Sequence, residues 1–445
     1  MARRDRGDRL GATPGAGQPG PAGAGHRDRD GQRRRPGIGR GGGDVDRRRA
    51  LQPGRDGADP GAGVRTRPHH RAGGGPVTGQ QVSPYVGAAA VVTADDVAAY
   101  YEGATFYSPA DGNASKASLI DWVASLIDDT GPVVLHRPAA LPADALSAAI
   151  CVIGSGSALA DLPPSGDEFS GAVRELEQHV GGRMGAVYPL AAATVSAMAP
   201  LAAAADLGVP LLDCDGMGRT FALVHHTAMH LGGISTGPLV MRGATGESVL
   251  IEAPDPARAD ALARPSVEVL GGWAAFAGYP GPIGALTRAA LPGTVSRLIN
   301  VGRLLMEPGE ADVVVGRLSA ITGTRRIGRG RIVELEHLSR PTDFTVPAHP
   351  SSVIIDESGG AILRLELRSE VVAVFSDGAL TAAAPDLVCL FDVDRGRLSP
   401  LDSLQPGDLV DVLVTPADGV WYSPEALAMV GPASHGIPLD HPRKR

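Results

Sequence analysis

The chain reads as an α/β protein: an N-terminal, mostly parallel sheet with helices, followed by a β-rich, sandwich- or barrel-like C-terminal domain. Two patterns predict this. Over residues 83–308 short apolar runs ending at Gly or Pro alternate with amphipathic stretches, the signature of strand–helix–strand units. Over residues 309–445 short β-branched segments separated by turns take over. A third observation sets off the first 82 residues. They are dominated by Gly, Arg, Pro, Ala and Asp, contain no aromatic residue, and cannot supply a core.

Residues 1–82 are therefore expected to be disordered. The same residue mixture also arises when a GC-rich gene is read upstream of its true start, and Val77 or Val82 is then the expected beginning. The run Gly41-Gly42-Gly43 follows no strand and is not a phosphate loop. Order is expected from Ser83. Thr93 caps a helix with Asp95 and Asp96 in its first turn. Residues 115–128 form an amphipathic helix with Leu119, Trp122, Val123 and Leu126 on one face. Residues 133–135 and 148–153 read as buried strands, the second running into the loop Gly154-Ser155-Gly156-Ser157. A helix over 168–180, a strand over 185–188 and an Ala-rich helix over 196–206 follow.

Residues 239–241, 248–252 and 267–270 read as strands. Pro256–Leu262 reads as a short helix capped by Asp255, and Thr294–Met306 as a strong helix. In the last part strands are expected at 313–315, 331–335, 352–355, 361–367, 371–375, 387–392 and 409–414. Hairpin turns are expected at Asp356-Glu-Ser-Gly-Gly and Ser376-Asp-Gly.

The net charge of −8 conceals two opposite parts. Residues 1–80 hold 17 Arg against 8 Asp, leaving an acidic body behind a basic segment. An acidic body excludes a nucleic-acid-binding domain, which needs a basic face. Three cysteines make no disulfide framework and fit a reducing, cytoplasmic compartment. No apolar stretch follows the Arg-rich start, so no signal peptide is read. Residues 186–205 carry no charge, but Pro189 and Pro200 interrupt them and Ala dominates, so no membrane association is expected.

The stretch Leu211–Phe221, Leu-Leu-Asp-Cys-Asp-Gly-Met-Gly-Arg-Thr-Phe, carries the most chemistry. A buried strand ends there in two acids, two glycines and an arginine, and α/β proteins bind ligands at such strand ends. Asp213 and Asp215 are candidate acid and base, and Arg219 a clamp for an anionic oxygen or sulfur. Gly216 and Gly218 would let backbone N–H groups approach a ligand. The plain alternative is a strand-to-helix turn capped by Asp215. Cys214 reads as a buried structural thiol.

These residues resemble a known family. Asp213-Cys-Asp-Gly-Met-Gly-Arg-Thr-Phe, Ile153-Gly-Ser-Gly, Gly271-Gly, Leu291-Pro-Gly-Thr-Val-Ser, Pro385-Asp-Leu-Val-Cys-Leu-Phe-Asp, Leu404-Gln-Pro-Gly-Asp and Gly431-Pro are similar, in order, to the S-methyl-thiohydantoin desulfurase family, often described as hydantoinase/oxoprolinase-associated. The resemblance spans roughly residues 90–440. It implies hydrolytic removal of sulfur or methanethiol from a thiohydantoin- or hydantoin-type cyclic ureide, and a hydantoinase/oxoprolinase system as partner. It also carries departures. The family's Gly-rich loop after the first helix reads here Ala104-Thr-Phe-Tyr-Ser-Pro-Ala-Asp-Gly-Asn. The positions where the family has glutamates are Ala191 and Leu223. The alternative function is accordingly a catalytically degenerate member acting as a ligand-binding or accessory subunit.

The expected pocket joins Gly154–Ser157, Pro189–Thr194 and Asp213–Arg219, with Gly154, Ser155, Gly156, Thr194, Gly216, Gly218 and His226 as substrate-binding residues. No cofactor is required by the sequence. A divalent, zinc-like metal could use Asp215 with His226 and His230, which share a face if the segment is helical. Hydrogen-bonded or solvated histidines are the simpler account. A homo-oligomer is compatible with the size of the chain and its β content.

Overall fold

The computed structural model describes residues 90–109, 116–337, 350–368 and 370–442. The readings on residues 1–89, and on the Ala110–Asn113 end of the loop after the first helix, lie outside the described residues. The order is β1 (Ala90–Val92), α1 (Ala94–Phe106), α2 (Lys116–Thr130), β2 (Val133–His136), β3 (Leu146–Gly154), α3 (Gly156–Asp161), α4 (Glu168–Val180), β4 (Met184–Pro189), α5 (Thr194–Leu207), β5 (Leu211–Leu212) and β6 (Cys214–Asp215). Then come α6 (Ala228–Leu231), β7 (Leu239–Arg242), β8 (Ser248–Ile251), α7 (Pro256–Val269), β9 (Trp273–Pro282), α8 (Ile283–Ala289), β10 (Leu291–Pro292), α9 (Thr294–Met306) and α10 (Ala311–Thr322). The chain ends with β11 (Arg325–Glu336), β12 (Ser352–Glu357), β13 (Ile362–Leu367), β14 (Val371–Ser376), β15 (Ala379–Ala383), β16 (Leu387–Asp392), β17 (Arg397–Ser399), β18 (Leu409–Thr415) and α11 (Pro424–Val430).

The first sheet has strand order β1-β2-β5-β4-β3-β9-β7-β8. Its parallel block is β2, β5, β4 and β3. Antiparallel joins add β1 at one edge and β9, β7 and β8 at the other. Strand alternation sorts side chains to two faces. Ala148 and Ile150 of β3 enter the core beneath α1, α2, α4, α5 and α9, while Ala149 and Cys151 enter the core beneath α7, α8 and α11. The second sheet is antiparallel throughout, in the order β15-β14-β13-β12-β11-β18-β16-β17. It curls so that β14 and β15 approach β16 around a core of its own, which includes Val353, Leu365, Val388 and Val412. The other face of β16 and β18, through Leu387, Cys389, Phe391 and Leu413, packs into the helical core of the first sheet.

Local signals explain most boundaries. Thr93 donates from its backbone N–H and its hydroxyl to the Asp96 carboxylate at 3.0 and 2.9 Å, so α1 starts there. Asp255 caps α7, with Pro256 at its first position. Two β readings fail. Residues 267–270 are the end of α7, because the capped helix runs on and the neighbouring strand is β9, beginning at Trp273. Residues 313–315 belong to α10, where Val314, Val315 and Leu318 form its buried side and Val313 points outward. A short β-branched run does not fix its own period, and position in the fold decides it.

Helices α1 and α9 touch backbone to backbone. A Cβ on Gly103 would lie 1.9 Å from the Leu298 carbonyl oxygen, and one on Gly302 would lie 1.7 Å from that of Ala99. Exposed Gly316 in α10 has open space around the same position. Gly302→Ala is expected to cost about 3 kcal/mol through forced separation of the helices. Gly316→Ala should stabilise by about 0.5–1 kcal/mol through helix propensity. Urea unfolding of both variants checks the pair, and equal effects would contradict the close contact.

Candidate functional site

The segment from Asp213 to Phe221 is tied down from every side. Cys214 and Asp215 pair as β6 with Pro292 and Leu291 of β10, so two of the sequence motifs meet. Gly216 N–H donates to Leu190 O at 3.1 Å, and its carbonyl accepts from Ala228 N–H at 2.7 Å. Met217 O accepts from the Trp421 indole at 2.9 Å, and Trp421 lies edge-on to Phe221 with ring centroids 4.7 Å apart. Gly218 O accepts from Arg297 Nη2 at 3.1 Å, while Thr220 N–H donates to Tyr107 O at 3.1 Å. A side chain at Gly218, whose φ is +73°, would meet Asp418 Oδ2 at 2.2 Å. Both glycines thus serve close packing, and their N–H groups are already used, Gly216 on Leu190 O and Gly218 on the Asp215 carboxylate.

Asp213 works as a helix cap. Its carboxylate accepts from Ser296 N–H at 3.0 Å and from Ser296 Oγ at 2.6 Å, in the first turn of α9. Asp215 is fully buried. Its Oδ1 accepts from Gly218 N–H at 2.8 Å, and its Oδ2 has no hydrogen-bond partner among the described residues. Burial pushes its carboxyl up to about 7, against the opposing pull of Arg297 and the loop N–H groups. Cys214 lies between the two acids, and burial raises its thiol well above the usual range. That is the environment of a structural cysteine, not a thiolate nucleophile.

Arg219 reaches the second sheet. Nε donates to Thr220 O at 3.3 Å, Nη1 to Pro385 O at 2.7 Å and to Asp386 O at 3.0 Å, and Nη2 pairs with Glu370. Its guanidinium also lies 5.0 Å from the centre of the Phe221 ring. The motifs beginning at Asp213 and Pro385 therefore meet through one side chain. A third pairing joins the Gly154 loop to the Gly271-Gly272 turn, where Ser155 N–H donates to Gly272 O at 3.0 Å.

A cavity of about 630 Å³ opens where the first sheet's strands end. Gly154, Ser155 and Gly156 line it, as does Arg219. Thr194 is buried at the start of α5, between the lining residues Ala193 and Val195. Asp213, Asp215, Gly216, Gly218 and His226 are not on its wall. The three candidate catalytic residues do not converge, and Tyr107 and Pro109 do not fill the cavity. Pro109 borders it, while Tyr107 is buried with Arg297 5.0 Å from its ring centre. Ala191 and Leu223, the positions where the resemblance implies glutamates, both lie on the wall. Among the described residues the charged groups on it are Arg219, Arg264, Glu370 and Asp402. Sequence reasoning missed Glu370, Arg264 and Asp402, because their places on the wall come from chain brought in from elsewhere.

The histidines stand differently from the helical expectation. α6 begins only at Ala228, with Thr227 as its cap, so His226 and His230 share no helix face. His225 pairs with Asp260, whose other oxygen accepts from Val224 N–H at 3.2 Å. His226 packs edge-on to Phe221, and burial lowers its imidazole to about 4, which keeps it neutral near pH 7. Among the described residues no group of three or more His, Cys, Asp or Glu is arranged to hold a metal ion. No helix among them is long and apolar enough to cross a membrane.

Fold and site define a two-sheet α/β protein with a strand-end cavity braced by its second sheet. The S-Me-THD-like N-terminal domain matches residues 95–253 and the S-Me-THD-like C-terminal domain matches residues 254–443. The chain belongs to this S-methyl-thiohydantoin desulfurase-like family. A crystal structure of a protein from Chromobacterium violaceum is similar in fold, at TM-score 0.64 and 18% identity, over 79% of this chain and 98% of that one. No curated protein matches.

The Asp215 carboxyl keeps its proton to about pH 7 when folded. Unfolded, it ionises near pH 4. Its favourable contribution is full below about pH 4 and is lost as pH rises through about 7. Asp215→Asn cannot ionise. It should raise the thermal midpoint above wild type at pH 8, and the advantage should shrink towards pH 4. An advantage independent of pH would contradict burial as the cause. Separately, Ser296→Ala removes the hydroxyl donor to Asp213 while the backbone donor stays, and should cost about 1 kcal/mol in chemical unfolding; no loss would show that the hydroxyl bond is idle.

Proposed function

We propose that this protein binds a small cyclic ureide, of hydantoin or thiohydantoin type, in the strand-end cavity without hydrolysing it. One observation carries the reading: the cavity is open, yet the two wall positions where the resemblance implies glutamates hold Ala191 and Leu223. Alanine and leucine transfer no protons and activate no water. Asp213 and Asp215 supply no substitute, since one caps α9 and the other is sealed in the loop. A cavity of about 630 Å³ suits a ring with a sizeable substituent. The role that follows is a ligand-binding or accessory subunit of a hydantoinase/oxoprolinase-type system. Three unpaired, buried cysteines support a reducing, cytoplasmic setting.

A second reading retains the family's hydrolysis, in which water replaces ring sulfur and sulfide or methanethiol leaves. It is favoured by one feature, the carboxylates of Glu370 and Asp402 on the same wall. The two readings separate in one experiment: calorimetric titration of the full chain with a 5-substituted thiohydantoin, alongside assay of released sulfide and methanethiol. Binding without release is expected. Release of sulfide or methanethiol by wild type would overturn the binding-only reading, with its loss in Asp402→Asn assigning it to the wall carboxylates, and absence of binding would remove the cyclic ureide as the ligand.

A further inference from the structure

The Arg219–Glu370 pair has features that a purely structural tie does not need. Both side chains are nearly buried, at 4% and 7% exposure, yet both residues border the cavity. A guanidinium has five N–H donors. Four are used here: Nε on Thr220 O, two from Nη1 on Pro385 O and Asp386 O, and one from Nη2 on Glu370. One Nη2 hydrogen is left over. Glu370 commits Oε2 to Arg219, while its Oε1 stands 4.0 Å from His435 Nε2, beyond hydrogen-bond range. His435 Nε2 itself has no hydrogen-bond partner among the described residues. The pair thus keeps one donor and one carboxylate acceptor side by side.

A ring amide in the cis arrangement presents the complement. Its N–H and its C=O, or C=S, point the same way from adjacent atoms. We propose that the Glu370–Arg219 pair recognises this edge, with Glu370 Oε1 accepting the ring N–H and Arg219 Nη2 donating to the adjacent oxygen or sulfur. The ligand class is then a ring with at least one unsubstituted N–H beside its carbonyl. An apolar substituent would extend along Leu190, Ala191, Val195, Leu223 and Val224. The inference rests on the binding function proposed above and adds which atoms read the ring. It also explains why a carboxylate remains on this wall: its task is to accept a proton donor, not to move a proton.

The test compares two probes on the full chain by calorimetry, 5-benzylhydantoin and its 1,3-dimethyl analogue, which lacks both ring N–H groups. A buried acceptor left unpaired discriminates strongly, so wild type should prefer the first by about tenfold or more. Glu370→Gln replaces one acceptor with an N–H donor and should bring the preference to within about threefold, because a charged hydrogen bond becomes a mismatched one. Should Glu370→Gln fail to fold, Glu370→Asp keeps the charge beside Arg219 but withdraws the carboxylate. It should weaken only the binding of 5-benzylhydantoin. Equal binding of both probes by wild type, or an undiminished preference in a folded Glu370 variant, overturns the recognition role while leaving cavity binding intact. Binding of neither probe by wild type rejects the binding function itself, and the recognition role with it.

Discussion

Helix α9 is the reference to which the site is built. It lies against α1 with no side chain between the backbones at Gly103 and Gly302, and a close-packed contact of this kind leaves it little room to shift. From that position its first turn receives the Asp213 carboxylate through Ser296. The next residue, Arg297, bonds to the Gly218 carbonyl at 3.1 Å and to Asp418 at 3.2 and 3.3 Å. Arg303, near its end, pairs with Asp96 of α1 at 2.5 Å. A shift of α9 would move the acid–glycine loop with it, and the loop forms part of the cavity wall through Met217 and Arg219.

The second sheet completes the same arrangement from the other side. Arg219 bonds to two carbonyls at the start of β16 and to Glu370 just ahead of β14, and Trp421 covers Met217 and Phe221. Tyr279 braces the histidine segment from β9, in a left-handed backbone conformation (φ 51°). Its hydroxyl donates to Val224 O at 2.9 Å and accepts from Thr227 and Thr236 at 3.1 Å each. Such a conformation persists where surrounding bonds fix it. The cavity wall therefore draws on both parts of the fold, Glu370 and Asp402 from the second and Gly154 and Arg219 from the first.

Much of this was legible in the sequence because it rests on local chemistry. The Thr93 cap, the Asp255-Pro256 helix start, the α9 helix and the hairpin turn at Asp377 follow from side chains near their own backbone. The location of the cavity at the strand ends was legible for the same reason, since strand–loop–helix order fixes where strands end. Residues 267–270 and 313–315 read as strands because a run of only three or four residues with two or three valines fits either period, and tertiary neighbours chose the helix. Asp213 and Asp215 looked like a catalytic pair because sequence shows which groups are adjacent but not which way each faces. In the fold one turns to α9 and the other into the loop. Glu370 was invisible for the opposite reason: it lies 151 residues from Arg219 along the chain, and only the packing of the sheets brings it to the wall.

The separation of bracing residues from wall residues has a consequence for how such a protein can change. The acids and glycines of the Asp213–Arg219 loop are bound up in the fold, whereas the side chains of Ala191 and Leu223 border the cavity and make no polar bond to the scaffold. Selection for folding alone would preserve the loop and leave the wall free to drift. Chemistry could then be lost, or regained with a single carboxylate, without the scaffold registering the difference. In this architecture the acids and glycines of the most recognisable string report descent and foldability, while Arg219 and the less conspicuous positions on the wall meet whatever the cavity holds.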